Sequence, residues 1–231
     1  MIARRAAAAV LLCIASSCAL AHLFHSTTEA PLTQLSRDYF VIRVLLSDPR
    51  DHFEQIRGVY DGTIRVAPPV RSRAWLARRP EHIMVFRGAD QRAASSGTLR
   101  RYVERVDRMR GRSVGTEIER SLAVRDREGL ERGFREFFAV LVGELLSAIA
   151  QRPDDTAAAH RLYQHARRYY TDGLEAHLVL NAPAASSLAG AALDGMARAL
   201  GNTKTGAPAA PEAFERQRRR FMRAVTERAS E

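Results

Sequence analysis

Apolar residues recur along most of this chain three or four positions apart, with charged residues between them. That spacing places the apolar side chains on one side of a helix and is typical of amphipathic helices packed on a core. It predicts a first helix around residues 35–46, ended by Asp48-Pro49, and a second that carries Phe53 and Ile56. A further helix is expected over residues 99–110 because Gly111 follows it. The pattern favours a mainly α fold.

Two long helices are expected in the second half of the chain. Apolar side chains cover about half the circumference of a helix over about 126–152, where Pro153 prevents continuation. Asp154 or Asp155 can cap a second helix over about 155–180. Because their connection is short, we expect a long antiparallel helix hairpin at the centre of a helical bundle. The apolar face of the helix over about 126–152 is wide enough that it must contact more than one neighbouring helix.

The segment near 61–87 has a different pattern. Asp61-Gly62 is a turn signal, and residues 63–66 and 83–86 are short strand-like runs. A small hairpin and an extended loop fit this segment equally well.

The C-terminal part carries two more helical patterns. Ser186 or Ser187 is expected to start an alanine-rich helix that ends at Gly201. A linker over residues 202–210 follows, and Pro211 opens a last, basic helix. Residues 22–231 are therefore interpreted as one mostly helical domain.

The first 21 residues have the layout of an export signal. Two arginines precede an apolar run, and the run ends at Ala19-Leu20-Ala21, a small-residue step of the kind that signal peptidase cleaves. A retained N-terminal anchor is a second interpretation. Cys18 opens a third, because the sequence before it resembles the lipobox of bacterial lipoproteins. All three place the rest of the chain in the periplasm or another extracytoplasmic space, with or without anchoring to the inner membrane.

The chain is basic, which bears on its partners. It has 36 Lys and Arg against 26 Asp and Glu, a formal net charge of +10, and Lys204 is its only lysine. Arginine binds carboxylates and phosphates in a bidentate manner. For an exported protein we expect no nucleic acid partner, and the candidates are an unidentified protein or an anionic lipid surface.

Common catalytic and metal signatures are missing from the sequence. There is no GxSxG, HExxH, GxGxxG or CxxC pattern, and both cysteines lie within the export signal. His160, His165 and His177 fall on one predicted helix but not at a spacing of three or four residues. We predict no enzymatic activity, no cofactor and no metal.

One side of the second long helix combines phenols with an imidazole. Tyr163, Tyr169, Tyr170 and His177 are expected to face the core, with Gly173 leaving space beside them. Buried hydroxyls and ring nitrogens need partners. The set is therefore either a polar core network or the lining of a small-molecule pocket.

The last helix is both basic and amphipathic. Its arginines are candidates for contact with a membrane or a partner: Arg216, Arg218, Arg219, Arg220 and Arg223. Solvated charges on a packed terminal helix would produce the same pattern.

Together the sequence features predict an exported helical binding or scaffolding protein, which in one interpretation is associated with the membrane surface. The alternative is a periplasmic ligand carrier or redox helper that uses the Tyr/His-lined hairpin.

Overall fold

The computed structural model describes residues 33–66, 84–85, 97–111, 113–152, 154–201 and 208–229. The export signal predicted over residues 1–21 and most of the predicted linker, residues 202–207, lie outside these ranges. The described part is mainly helical, as the sequence predicts. Its helices are α1 (Gln34–Ser47), α2 (Phe53–Asp61), α3 (Leu99–Arg110), α4 (Val114–Val124), α5 (Arg127–Ala150), α6 (Thr156–Tyr170), α7 (Ala176–Asn181), α8 (Pro183–Ala199) and α9 (Pro211–Ala229).

Helix starts follow from side chains that bind free backbone amides. The side chains of Thr33, Thr98, Asp126 and Asp155 each accept a hydrogen bond from the amide three residues later. Helix α4 is capped from the preceding helix instead, because the Asp107 carboxylate accepts hydrogen bonds from the first two amides of α4 at 3.0 and 2.8 Å. Side-chain caps therefore fix the starts of five of the nine helices in the described ranges.

Helix α5 is the centre of the core. It packs against α3, α4, α6 and α9, as the width of its apolar face predicts. Phe134, Phe137 and Phe138 are fully buried on it, and Tyr39 of α1 packs its ring 4.5 Å from that of Phe138. Burial of large aromatic side chains supplies much of the stability of such a core.

A short antiparallel strand pair lies between α2 and α3. Strand β1 (Arg65–Val66) pairs with β2 (Met84–Val85), with Arg65 opposite Val85. Residues 67–83 between them lie outside the described ranges. Of the predicted strand-like runs 63–66 and 83–86, residues 65–66 and 84–85 are paired, whereas Thr63 and Ile64 lie outside the strand.

Arg100 connects three helices at one side of the bundle. Its Nε donates to Glu119 of α4 at 2.9 Å and lies 3.4 Å from a carboxylate oxygen of Asp61 at the end of α2. The guanidinium also stands 5.7 Å from the ring centroid of Tyr60. These contacts link α2, α3 and α4, so this group of charges has a structural role.

The chain after α6 departs from a regular helix. Residues Thr171–Glu175 form a π-helical segment, and the path continues as α7 to Asn181. Helix α5 packs on α6 and on the π segment, while the antiparallel hairpin arrangement stays a prediction. Helix α8 begins at Pro183, a few residues before the expected start at Ser186 or Ser187, because proline lacks an amide to satisfy in the first turn.

Candidate functional site

The three candidate phenols lie in the core, and the hydroxyls of two of them form hydrogen bonds with other protein atoms. Tyr163 Oη donates a buried 2.8 Å hydrogen bond to the carbonyl oxygen of Leu193 on α8. Tyr169 Oη donates to Thr33 Oγ1 at 3.2 Å. Burial raises the pKa of Tyr163 to about 12. Both hydroxyls serve to join α6 to other parts of the bundle.

Tyr170 is the exception among the phenols. Its side chain is 2% exposed, and its hydroxyl has no well-formed hydrogen bond among the described residues. Burial raises its pKa to about 12, against a smaller opposing effect of the Ser186 side chain. Its ring packs edge-on against Phe221 of α9 at 5.4 Å. Tyr170 therefore acts mainly as a packing residue between α6, α8 and α9.

His177 does not face the core, which corrects the sequence interpretation. Its ring is half-buried at the surface and lies 3.1 Å, Nδ1 to Nδ2, from Asn181 on the same helix. A π turn takes in one residue more than an α turn, so the inward position moves one step along the chain. Leu178 occupies it and is 2% exposed. Partial burial lowers the pKa of His177, with the charge of Arg135 acting in the same direction.

The space expected beside Gly173 is filled. A Cβ atom built on Gly173 would lie 2.6 Å from Cβ of Phe138 and still closer to its ring. The Phe138 side chain thus occupies the room that the glycine leaves. The phenols and His177 therefore do not line a common pocket in the described structure.

An apolar cavity lies elsewhere, near the linker that precedes α9. Its empty volume is about 340 Å³, part of it open to solvent. Ile149, Ala159, Leu200 and Phe214 are among its lining residues, and none of the candidate tyrosines is. With apolar walls and few polar groups to orient a ligand, it carries no specific chemistry.

The last helix packs its apolar side into the protein. Phe214, Phe221 and Val225 of α9 are at most 3% exposed. Arg218 is part of this docking, because it donates to both carboxylate oxygens of Glu215, at 2.7 and 2.8 Å, and to Ser147 Oγ of α5 at 3.1 Å. The same pairing lowers the pKa of Glu215. Of the five candidate arginines, Arg218 thus binds the body of the protein.

The other four candidate arginines form one solvent-facing row, which we call the arginine stripe: Arg216, Arg219, Arg220 and Arg223. Arg216 and Arg219 lie 3.9 and 3.6 Å from Glu212 and Glu215 and remain about 60% exposed. Among the described side chains, neither Arg220 nor Arg223 has a carboxylate within 4.0 Å. Helical spacing keeps all four within about 100° of the helix circumference.

A second surface feature was missed by the sequence interpretation. The 18 residues Ala176–Leu193, which we call the uncharged corner, contain no Asp, Glu, Lys or Arg in a chain that is 27% charged. Three of its apolar side chains face solvent: Leu180 is 80% exposed, Leu188 56% and Val179 53%. The missing charge was visible in the sequence, whereas the exposure of these three side chains depends on how α7 and α8 pack.

The described ranges hold neither a cluster of metal-ligating side chains nor a membrane-spanning helix. No three His, Cys, Asp or Glu side chains there come together as a metal site. Within the same ranges, no helix combines the length and the apolar character needed to cross a bilayer.

Comparison with known proteins adds no assignment: the chain matches no protein-family model, no curated protein and no solved structure.

Proposed function

We propose that this chain is an exported helical binding or scaffolding protein that associates with an anionic membrane surface through the arginine stripe. The observation that carries the proposal is the division of α9 into a fully packed apolar side and a solvent-facing row of arginines. The basic, apolar and small-residue regions at the N terminus support export.

The packing of α9 limits the kind of membrane contact. A helix that lies in a bilayer interface buries its apolar side among the lipids. In α9 that side already contacts the core through Phe214, Phe221 and Val225. The helix therefore meets a membrane with its charged side only, and the attraction is electrostatic.

The docking of α9 also holds the stripe in place. Arg218 ties the helix to Ser147, and Met222 packs closely on Gly143 of α5. Four guanidinium groups on a fixed helix can contact several phosphates at once with little further ordering. Each basic residue near an anionic surface contributes about 1 kcal/mol of attraction.

The alternative of a ligand carrier or redox helper has less support. The protein fills the space beside Gly173, and two of the three phenols bind protein atoms. We therefore favour a surface function over an internal pocket.

Binding of the full chain to vesicles tests the proposal. The double variant Arg220→Gln/Arg223→Gln is compared with Arg101→Gln/Arg108→Gln, which removes the same charge from exposed positions of α3. With phosphatidylglycerol vesicles at low salt, we expect the first variant to bind roughly 30-fold more weakly than the wild type, as about 1 kcal/mol per arginine implies. The control should bind like the wild type.

Comparing the two double variants also separates the effect of the stripe from any vesicle binding by other regions of the chain. All the variants share residues 1–32, so any binding by those residues is equal in each. The proposal is wrong if the wild type does not prefer anionic to neutral vesicles, or if both double variants weaken binding to the same extent.

A further inference from the structure

We propose that the uncharged corner inserts its exposed apolar side chains into the same anionic membrane that the arginine stripe contacts. This inference rests on the proposed function and names the part of the protein that enters the lipid. It concerns a different set of residues from the stripe and can therefore fail separately.

The corner is unusual in its exposure. Helix α7 ends at Asn181 and α8 begins at Pro183, so the chain changes direction over a single residue. Leu180, at this bend, is 80% exposed, and Val179 beside it is 53% exposed. Grouped apolar side chains on a surface mark an interaction site more often than isolated ones do.

The start of α8 adds to this surface. The solvent-facing positions of α8 near its beginning are Pro183, Ala184, Ser187, Leu188 and Ala191. A side chain added at Gly190 would meet no atom within 4 Å. The uncharged surface therefore extends from the bend along the first half of α8.

Packing contacts place α9, the helix that carries the stripe, beside α8. Helices α8 and α9 pack on each other, with Gln217 of α9 against Gly195 near the end of α8. The start of α9 lies at the end of α8, because the amide of Ala210 donates to the carbonyl oxygen of Ala199 at 2.7 Å, so α9 runs back along α8 towards its beginning. The second half of α9, with Arg220 and Arg223, thus runs beside the uncharged half of α8.

An anionic bilayer fits both parts of this surface. Its phosphates are the partners of the arginines, and the region below its headgroups accepts leucine and valine side chains. A second copy of the chain fits less well, because it would bring its own row of four arginines towards the first. Charge complementarity therefore favours lipid as the occupant.

Tryptophan fluorescence of the full chain tests insertion. Trp75 is the only tryptophan, so Leu180→Trp in a Trp75→Phe background reports on the corner alone. Met109→Trp in the same background is the matched control, because Met109 is also an exposed apolar residue, at 59%, and lies on α3. With vesicles of brominated phosphatidylglycerol, we expect a blue shift and quenching for position 180 and neither for position 109.

Affinity measurements in the natural tryptophan background provide a second readout. Leu180→Asp should weaken binding to phosphatidylglycerol vesicles about tenfold, from the loss of one buried leucine side chain, whereas Met109→Asp should leave it unchanged.

The two proposals can fail separately. If the wild type binds these vesicles but position 180 stays unquenched and Leu180→Asp binds normally, insertion is contradicted and the proposed function is kept. Absence of binding by the wild type contradicts both proposals. A dimer in solution that Leu180→Asp dissociates would overturn lipid insertion in favour of self-association.

Discussion

Gly173 and Phe138 pack so closely that the Phe138 side chain occupies the place of a side chain at position 173. A Cβ atom there would lie 2.5 Å from Cδ2 and 2.6 Å from Cβ of Phe138. Gly173 belongs to the π segment, where the wider turn changes which residues face the core. The contact fills the space that was expected to form a pocket. It lies in the same π segment that places Leu178, and not His177, towards the core.

Gly173→Ala should therefore destabilise the protein. The added methyl group cannot be accommodated unless Phe138 or the backbone moves, and overpacking of this kind costs about 1 to 3 kcal/mol. Thermal unfolding followed by circular dichroism measures the effect. Gly190→Ala is the matched control: its methyl group enters open space, and alanine favours a helix interior, so its Tm should stay the same or rise. A Gly173→Ala variant as stable as the wild type would show that the contact is not tight.

The two fully packed phenols Tyr163 and Tyr170 should respond differently to loss of their hydroxyls. Tyr163→Phe leaves the carbonyl of Leu193 without its 2.8 Å partner and should cost about 1 kcal/mol. Tyr170→Phe removes a buried hydroxyl that has no well-formed hydrogen bond and should be neutral or stabilising. Urea denaturation of both variants gives the comparison. Equal losses would contradict the difference in bonding.

The π segment is tied to α1 by Arg43. Its Nη1 donates to the carbonyl oxygen of Asp172 at 2.9 Å, and Arg168 binds the Asp172 side chain at 2.9 Å. Arg43→Gln should lower the stability by about 0.5 to 1.5 kcal/mol and increase hydrogen exchange in the segment 171–178. Arg161→Gln, at an exposed position of α6, should change neither. Unchanged exchange in the Arg43 variant would mean that this bond does not hold the segment.

Acid should weaken the docking of α9. The Arg218 hydrogen bonds lower the pKa of Glu215 below its ordinary value of 4.5. Because the folded state favours the charged form, the stabilisation is fully present above pH 4.5 and is lost as the pH falls through the lower, folded-state pKa. Glu215→Gln should therefore be less stable than the wild type at neutral pH, with a difference that shrinks in acid. Glu212→Gln is the matched control, because this side chain is 96% exposed and should matter little to stability at neutral pH.

Most of the helices could be predicted from the sequence because their signals are local. Capping residues such as Thr98, Asp126 and Asp155, and the apolar spacing of α5, determine where helices begin and which side is buried. Proline at positions 183 and 211 starts two further helices, although the first of these was expected to begin at Ser186 or Ser187.

The candidate site was less predictable because it depends on contacts between distant residues. A regular helix of 3.6 residues per turn carries His177 inward, and nothing local to residues 171–175 announces the π turn that places Leu178 there instead. The difference between Arg218 and the arginine stripe depends on Ser147, which is 71 residues away. The absence of charge from the uncharged corner is visible in the sequence, but the exposure of Leu180 and Leu188 is not.

Electrostatic association with a membrane is measured most directly by the binding of the full chain to vesicles as their phosphatidylglycerol content is raised from zero. Affinity should rise steadily with anionic lipid at low salt. This increase should be largely lost at about 1 M salt, where charges are screened within about 3 Å. Affinity that does not depend on phosphatidylglycerol, or that persists undiminished in high salt, would contradict electrostatic association.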